Sequence, residues 1–524
     1  MRPRPTERLR ARQQAVPGRW VPWLAVLASF AGSSARAVDL DAGNGQRQWS
    51  LVPSVSVTET FTDNLLLSGT DRVSDGITRL TAGLDFSART AQLRASLGYS
   101  LSELLHARHH ERNTSQNTLN AGLNADFLDG RGKLDANASI SQTAVSAFGT
   151  QPAQDGRPTQ NTTELRAIQV SPSLSGYVGS ALRYSASVGL TATDAAKTTI
   201  GDVTTTTAAL MLSPAQAGLV GWRLDATHTT SDYKQGRVTE DNRVNGVGTM
   251  RLDALDAEWH VSGGVEQTNL SSAQRDTYRT WGAGGSWTPS NRTKLTLDLD
   301  KRFFGRSHTL VLEHRTPLTV WRLLDSRSLS TSGAGQTAVG GQGTAYDLFF
   351  AQLASREPDP VKRDALVRAL LEQLGISPQR GINLGFLSSA VTLQDRKEAS
   401  VAINGVRSAL VVAMSRSRTS RLDTVAPAQG DLGNSPEITM QGLTMDFSHR
   451  LAPMSSLNLT WSDQRGSGVQ AAQASRQRQV GLVYSTRPSS ITNLSMGWRR
   501  ALYISGTVAP YDESSLFATY GVRF

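Results

Sequence analysis

The sequence predicts an all-β fold, a transmembrane antiparallel β-barrel of about 22 strands (20–22) with a helical insertion. Three observations carry that reading. Segments of about ten residues alternate apolar and polar side chains along most of the chain, the period of a strand with one face in oil and one in water. Short turns alternate with longer polar connections, as they do when every second connection lies on the same side of a membrane. No stretch of about 20 apolar residues is present, so helical spans are not expected. A mean hydropathy of -0.30 fits strands of which only half the residues need be apolar.

Taken in chain order, residues 1–37 read as a signal peptide. Arg2, Arg4, Arg8, Arg10, Arg12 and Arg19 stand against the single acid Glu7, an apolar run Trp20 to Ala31 follows, and Ala35-Arg36-Ala37 offers the cleavage site. The apolar run is too short to span a bilayer comfortably as an anchor. This leader holds seven Arg and one Glu, so its removal takes +6 from the formal +10 of the chain and leaves +4. The mature chain is then only mildly basic, and the sequence pI near 10.0 is no nucleic-acid footprint. Cysteine is absent, which rules out a disulfide framework, a thiol nucleophile and a Cys-ligated metal.

Residues 38–330 read as the first part of the barrel, with a first strand near Trp49 to Phe61. Leu93, Ala95, Leu97, Tyr99 and Leu101 alternate with Arg94, Ser96, Gly98 and Ser100. Leu119 to Phe127, Leu182 to Leu190 and Leu295 to Leu299 repeat the design. Turns at Asp129-Gly130, Ser213-Pro214-Ala215-Gln216 and Thr288-Pro289-Ser290 alternate with polar stretches at 62–75, 106–113, 144–161 and 195–201. The short turns belong on the periplasmic side. Trp222, Trp259, Trp287, Trp321 and Tyr177 lie close to short turns, where an aromatic girdle meets that interface. Strand parity holds up to a strand near Arg292 to Phe304. Beyond it, His308 to Ser330 has to be two short strands broken at Pro317, with Gly305-Arg306-Ser307 as an unusually short outer turn.

Residues 331–380 break the pattern. Ala345 to Ala354 and Asp359 to Leu374 read as helices; in the second, Asp359 caps, Pro360 takes the first helical position and Gly375 closes. Leu366, Val367, Leu370, Leu371 and Leu374 form its apolar stripe and are the gate candidates. The segment follows an upward strand, so it is either a plug or gate in the lumen or an outer-loop hairpin packed on the rim.

Residues 381–524 read as the last part of the barrel. Leu516, Ala518, Tyr520, Val522 and Phe524 share one face of the final strand, opposite Phe517, Thr519, Gly521 and Arg523. An apolar-faced last strand ending on Phe resembles the assembly signal of bacterial outer-membrane barrels. It implies a place in the cell outer membrane, contact with outer-membrane lipid and lipopolysaccharide, and the barrel assembly machinery as a partner.

The inward faces offer Arg94, Arg183, Arg223, Asp225, Lys294, Asp298, Asp300 and Arg523 as lumen candidates. Their mixed signs predict weak selectivity and passage of neutral or modestly charged solutes. Pairing of opposite charges across neighbouring strands to stiffen the wall is the competing role. Catalytic signatures are thin: Gly-x-Ser-x-Gly, Gly-x-x-x-x-Gly-Lys-Ser/Thr and His-Glu-x-x-His are absent. His106, His109, His110 and Glu111 cluster in an outer loop, but their spacing fixes no tetrahedral metal set. No catalytic residue, metal site or cofactor is assigned.

Trp49, Pro53, Glu59-Thr-Phe-Thr-Asp-Asn64 and Ser74-Asp75-Gly76-Ile77-Thr78 open the mature chain. After the helical interruption come Val391-Thr-Leu-Gln-Asp-Arg-Lys-Glu-Ala-Ser400 and Asn404-Gly-Val-Arg407. In this order the features resemble the outer-membrane β-barrel proteins associated with the PEP-CTERM and exosortase system. The resemblance implies a part in producing or exporting an exopolysaccharide, with polysaccharide and export components as partners. Three function classes follow, in descending order: a gated channel or secretion component, a general diffusion porin, and an outer-membrane enzyme. Nucleic acid is not among the expected partners.

Overall fold

In a bilayer every backbone polar group must find a partner within the chain, and a sheet meets that demand only by closing on itself. The computed structural model has this form. It describes residues 48–150, 157–216, 218–331, 349, 350, 353, 363, 366, 367, 386–423, 425, 429–470, 472–506 and 508–524. The signal peptide and most of the 331–380 segment lie outside the described residues.

The first eleven strands are β1 (Gln48–Thr62), β2 (Asp75–Arg89), β3 (Leu93–His106), β4 (Thr114–Phe127), β5 (Gly132–Ala144), β6 (Thr162–Val178), β7 (Leu182–Ala195), β8 (Val203–Pro214), β9 (Val220–Tyr233), β10 (Val238–Leu252) and β11 (Ala257–Thr268). The rest are β12 (Asp276–Ser290), β13 (Thr293–Arg302), β14 (Gly305–Arg315), β15 (Thr319–Ser330), β16 (Thr392–Asn404), β17 (Ser408–Arg421), β18 (Glu437–Ala452), β19 (Ser455–Ser467), β20 (Ala474–Thr486), β21 (Thr492–Ser505) and β22 (Tyr511–Arg523). Each pairs antiparallel with the next in a 22-stranded sheet. The barrel closes where β22 pairs with β1, from Ser54 opposite Arg523 to Thr62 opposite Ser515. The strand number lies within the expected 20–22.

Period two decides which residue faces where. Trp222, Leu224, Trp259, Val261, Trp287, Trp321 and Leu323 are exposed on the outward face, while their immediate neighbours point inward. On β22, Leu516, Ala518 and Tyr520 are exposed and Val522 is half-buried, and Phe524, just beyond the strand, is exposed. Short turns such as Leu128–Arg131, 179–181 and 405–407 lie at the rim that holds the start of β1 and the end of β22. Longer connections at 63–74, 107–113, 145–161, 196–202 and 422–436 lie at the other rim. The first rim is periplasmic and the second extracellular, and the protein is an outer-membrane β-barrel.

Two expectations need correction. The short outer turn sits at Phe303-Phe304, not at Gly305-Arg306-Ser307: Gly305 takes φ +107, open to glycine, and already pairs with Arg302 as the first residue of β14. Tyr177 is no part of the outer girdle. It pairs with Arg183 and shares the face of Ser173 and Ser175, which is the lumen side.

Candidate functional site: the lumen and its outer mouth

The inner wall is polar. Hydroxyls pair across strands at its middle and in its outer half: Thr58 with Thr519 at 2.8 Å, Thr81 with Ser102 at 2.8 Å and Thr207 with Thr229 at 3.2 Å. From β7 to β13 the wall forms a recess of about 420 Å³ lined in part by Ser187, Arg223, Asp225, Arg243, His260 and Asp300. Arg223 Nε donates to Asp225 Oδ2 at 2.8 Å, two residues along the same strand. Arg243 stands 3.8 Å from Asp300, and His260 Nε2 stands 3.3 Å from Asp298. Lys294 faces Glu313 across β13 and β14. Arg94 lies opposite Arg89 and Asn124, Arg183 opposite Tyr177 and Ser213, and Arg523 opposite Ser54.

Arg243 and His260 were missed by the sequence reading, and so was the role of two glycines. A Cβ on Gly282 would meet Asp300 Oδ1 at 2.2 Å, and one on Gly284 would meet Asp298 Oδ1 at 2.5 Å. Their bare backbone lets the two carboxylates lie flat along β12. Glycines on the polar face of a strand beside an acidic strand are the signal that could have found this.

The outer mouth is built differently. The β5–β6 connection reaches across to the far wall, where Asp431 accepts from Ala147 N–H at 2.6 Å and from Ser146 Oγ at 2.8 Å. Tyr503, 1% exposed, donates to the carbonyls of Phe148 and Gly149 at 2.9 and 2.7 Å. Arg157 pairs with Glu513, which also accepts from Thr62 Oγ1 at 2.7 Å. Phe148 packs with Phe386, Leu432, Ile438 and Met440. Phe386 begins the arm 386–391 that leads into β16. Leu387 of that arm reaches Leu165 and Ala195, and Val391 reaches Val203 and Tyr233. Each such buried side chain adds roughly 1.5–3 kcal/mol to the docking of the arm and the connection at the mouth. Burial also pushes the Asp431 carboxyl above the usual carboxylate range, against the lowering by its two hydrogen bonds.

Of the 331–380 segment, Phe349, Leu353 and Val367 pack against Val320, Ala402, Ala409 and Val411. Those four belong to the inner face of β15–β17, beside the periplasmic turns at 316–318 and 405–407. Arg363 lies over the Phe350 ring at 4.4 Å. The described residues in both expected helical ranges are helical. The expected stripe divides at its start, with Val367 fully buried and Leu366 43% exposed. Leu370, Leu371 and Leu374 lie outside the described residues. In the histidine cluster, His109 Nδ1 stands 3.0 Å from Asp75 and His106 is buried. No group of three or more His, Asp or Glu converges as a metal set among the described residues.

No family model and no curated protein matches the chain. Among solved structures it is similar to BauA, the ferric preacinetobactin receptor from Acinetobacter baumannii, at 10% identity and a TM-score of 0.46, covering 90% of this chain and 80% of that one. It is also similar to OccK11 (OpdR) of Pseudomonas aeruginosa, at 11% identity and a TM-score of 0.32, covering 90% and 96%. For OccK5 (OpdH) of Pseudomonas aeruginosa the figures are 11%, 0.33, 90% and 98%. Likeness at this level does not extend to solute, ligand or partner.

Proposed function

We propose that this barrel is a gated channel of the outer membrane and that its cargo is polysaccharide leaving the cell. The observation that carries the channel reading is the meeting of Phe148, Phe386 and Leu432 across the mouth of a lumen whose lower wall is polar and solvated. A barrel of about this strand number is wide enough to hold a plug and to leave a passage when the plug moves. The helical segment supplies that plug, anchored by Phe349, Leu353 and Val367 on the lower inner wall.

Two features favour polysaccharide as the cargo. Ladders of serine and threonine hydroxyls on the inner face hydrogen-bond sugar hydroxyls without requiring charge. The resemblance of residues 59–64 and 391–407 to exosortase-associated barrels points the same way and makes periplasmic export components the partners.

Single-channel conductance of the refolded mature protein, with and without residues 331–380, tests the gate. Large conductance appearing only after the deletion supports it. Large conductance in the intact protein makes the barrel a general diffusion porin. No conductance from either sinks the passage altogether. The cargo is tested separately, by secreted polysaccharide in cells lacking the gene; an unchanged yield removes polysaccharide from the proposal.

A further inference from the structure

The outward wall is not uniform around its circumference. On its extracellular half, three cross-strand pairs set cation against cation: Lys301 opposite Arg306, Lys397 opposite Arg416, and Arg465 opposite Arg476. The register fixes their face. Lys397 stands four residues above Val401, the partner of exposed Trp321, and Arg465 stands four above Trp461, the partner of exposed Met445. Each pair therefore bounds the apolar residues of its strands on their extracellular side.

Like charges directly opposite one another weaken a ladder unless an anion lies between them. The neighbouring acids fill that place only in part, because each is shared among several cations. Asp463 alone serves Arg465, Arg476 and Arg478, at 3.3, 2.5 and 3.5 Å. Asp325 serves both Lys397 and His308, at 3.2 and 3.1 Å. Long cations that merely stretch toward an interface would be spread around the whole barrel. The same height on the opposite wall carries Glu103, Glu164, Asp194 and Asp232 against the single arginine Arg166.

We propose that the extracellular half of β13–β20 is a binding surface for the phosphate groups of lipopolysaccharide. Paired guanidinium and ammonium groups in a headgroup layer match phosphate in charge, and guanidinium also matches its bidentate geometry. The ligand sits where the cross-strand repulsion is, so binding clamps three cation pairs whose charge the chain's own acids offset only in part.

The test uses the refolded mature chain in phosphatidylcholine vesicles doped with bisphosphorylated or fully dephosphorylated lipid A. Folding is followed by the heat-dependent shift on gels. The wild type should retain bisphosphorylated lipid A through detergent extraction and gain a higher unfolding temperature from it, and the dephosphorylated form should do neither. Lys301→Ser, Arg416→Ser and Arg476→Ser combined should lower retention by at least about tenfold, since each headgroup cation contributes about a fivefold factor. Glu103→Gln with Glu164→Gln should leave retention unchanged. Equal retention of the two lipids by the wild type overturns the proposal whether or not the triple variant folds. Wild-type retention by a folded triple variant does the same. Equal stabilisation in detergent by inorganic phosphate overturns the lipid as its source.

Discussion

The outer mouth and the lower lumen are lined by the same strands, yet they hold charge in opposite ways. At the mouth, Glu266 and Glu513 are buried to 0% and 1% exposure and each is gripped by arginine. In the lower lumen, Arg223 and Asp225 keep 44% and 29% of their side chains exposed. Buried charge depends on its partner, whereas solvated charge is screened and free to meet a solute. The mouth is therefore where charge holds structure, and the lower wall is where charge stays open to solvent.

The largest effect that would sharpen this contrast is expected at Arg302. Its Nε donates to Glu266 at 3.1 Å and its Nη2 to Asp241 at 3.0 Å. Arg302→Met leaves buried Glu266 and half-buried Asp241 facing each other without their shared cation and should cost about 3–5 kcal/mol in urea unfolding of the reconstituted barrel. Next comes Arg157→Ala, which strips Glu513 of its partner from the β5–β6 connection. A loss of about 3 kcal/mol from docking should raise the open probability of single channels roughly a hundredfold. An unchanged open probability would break the comparison, because the mouth would then not be held by its charges.

Tyr503→Phe removes the hydroxyl that bonds Phe148 and Gly149, and should loosen the mouth by about 1–2 kcal/mol. Hydrogen exchange at residues 147–149 reads that change. Asp431 gives the same region a pH dependence. Its carboxyl is raised by burial, so its contribution to docking is full below the ordinary aspartate range and fades as pH rises through the raised value. Open probability should fall from neutral pH toward about pH 4, and Asp431→Asn should abolish the trend. The smallest effect belongs to the lower lumen. Arg243→Gln should change stability by less than about 1 kcal/mol while shifting the reversal potential toward cations.

The strands were legible in the sequence because their signal is local: a period of two, repeated until each element declares its face. The strand count followed from parity, including the break at Pro317. The mouth was not legible, since Tyr503 and Phe148 lie 355 residues apart and Arg157 and Glu513 lie 356 apart, and no pattern within a strand announces such partners. Tyr177 was misplaced because nearness to a turn tells which rim a residue occupies, whereas only parity tells which face. The stripe led by Leu366 and Val367 had the right period for a helix, but neighbouring positions on a helix point about 100° apart, and the wall took one and left the other.

The inserted segment leaves β15 at Ser330 and returns to β16 at Thr392, and those two residues are themselves ladder partners. A loop whose ends are already neighbours closes at a cost that grows only slowly with its length, about 0.6 kcal/mol for each doubling. Growth, shortening or outright exchange of the segment therefore leaves the register of every strand untouched. The wall and the insertion can change at different rates over evolutionary time, the first conserving a scaffold and the second free to follow whatever the scaffold is asked to carry.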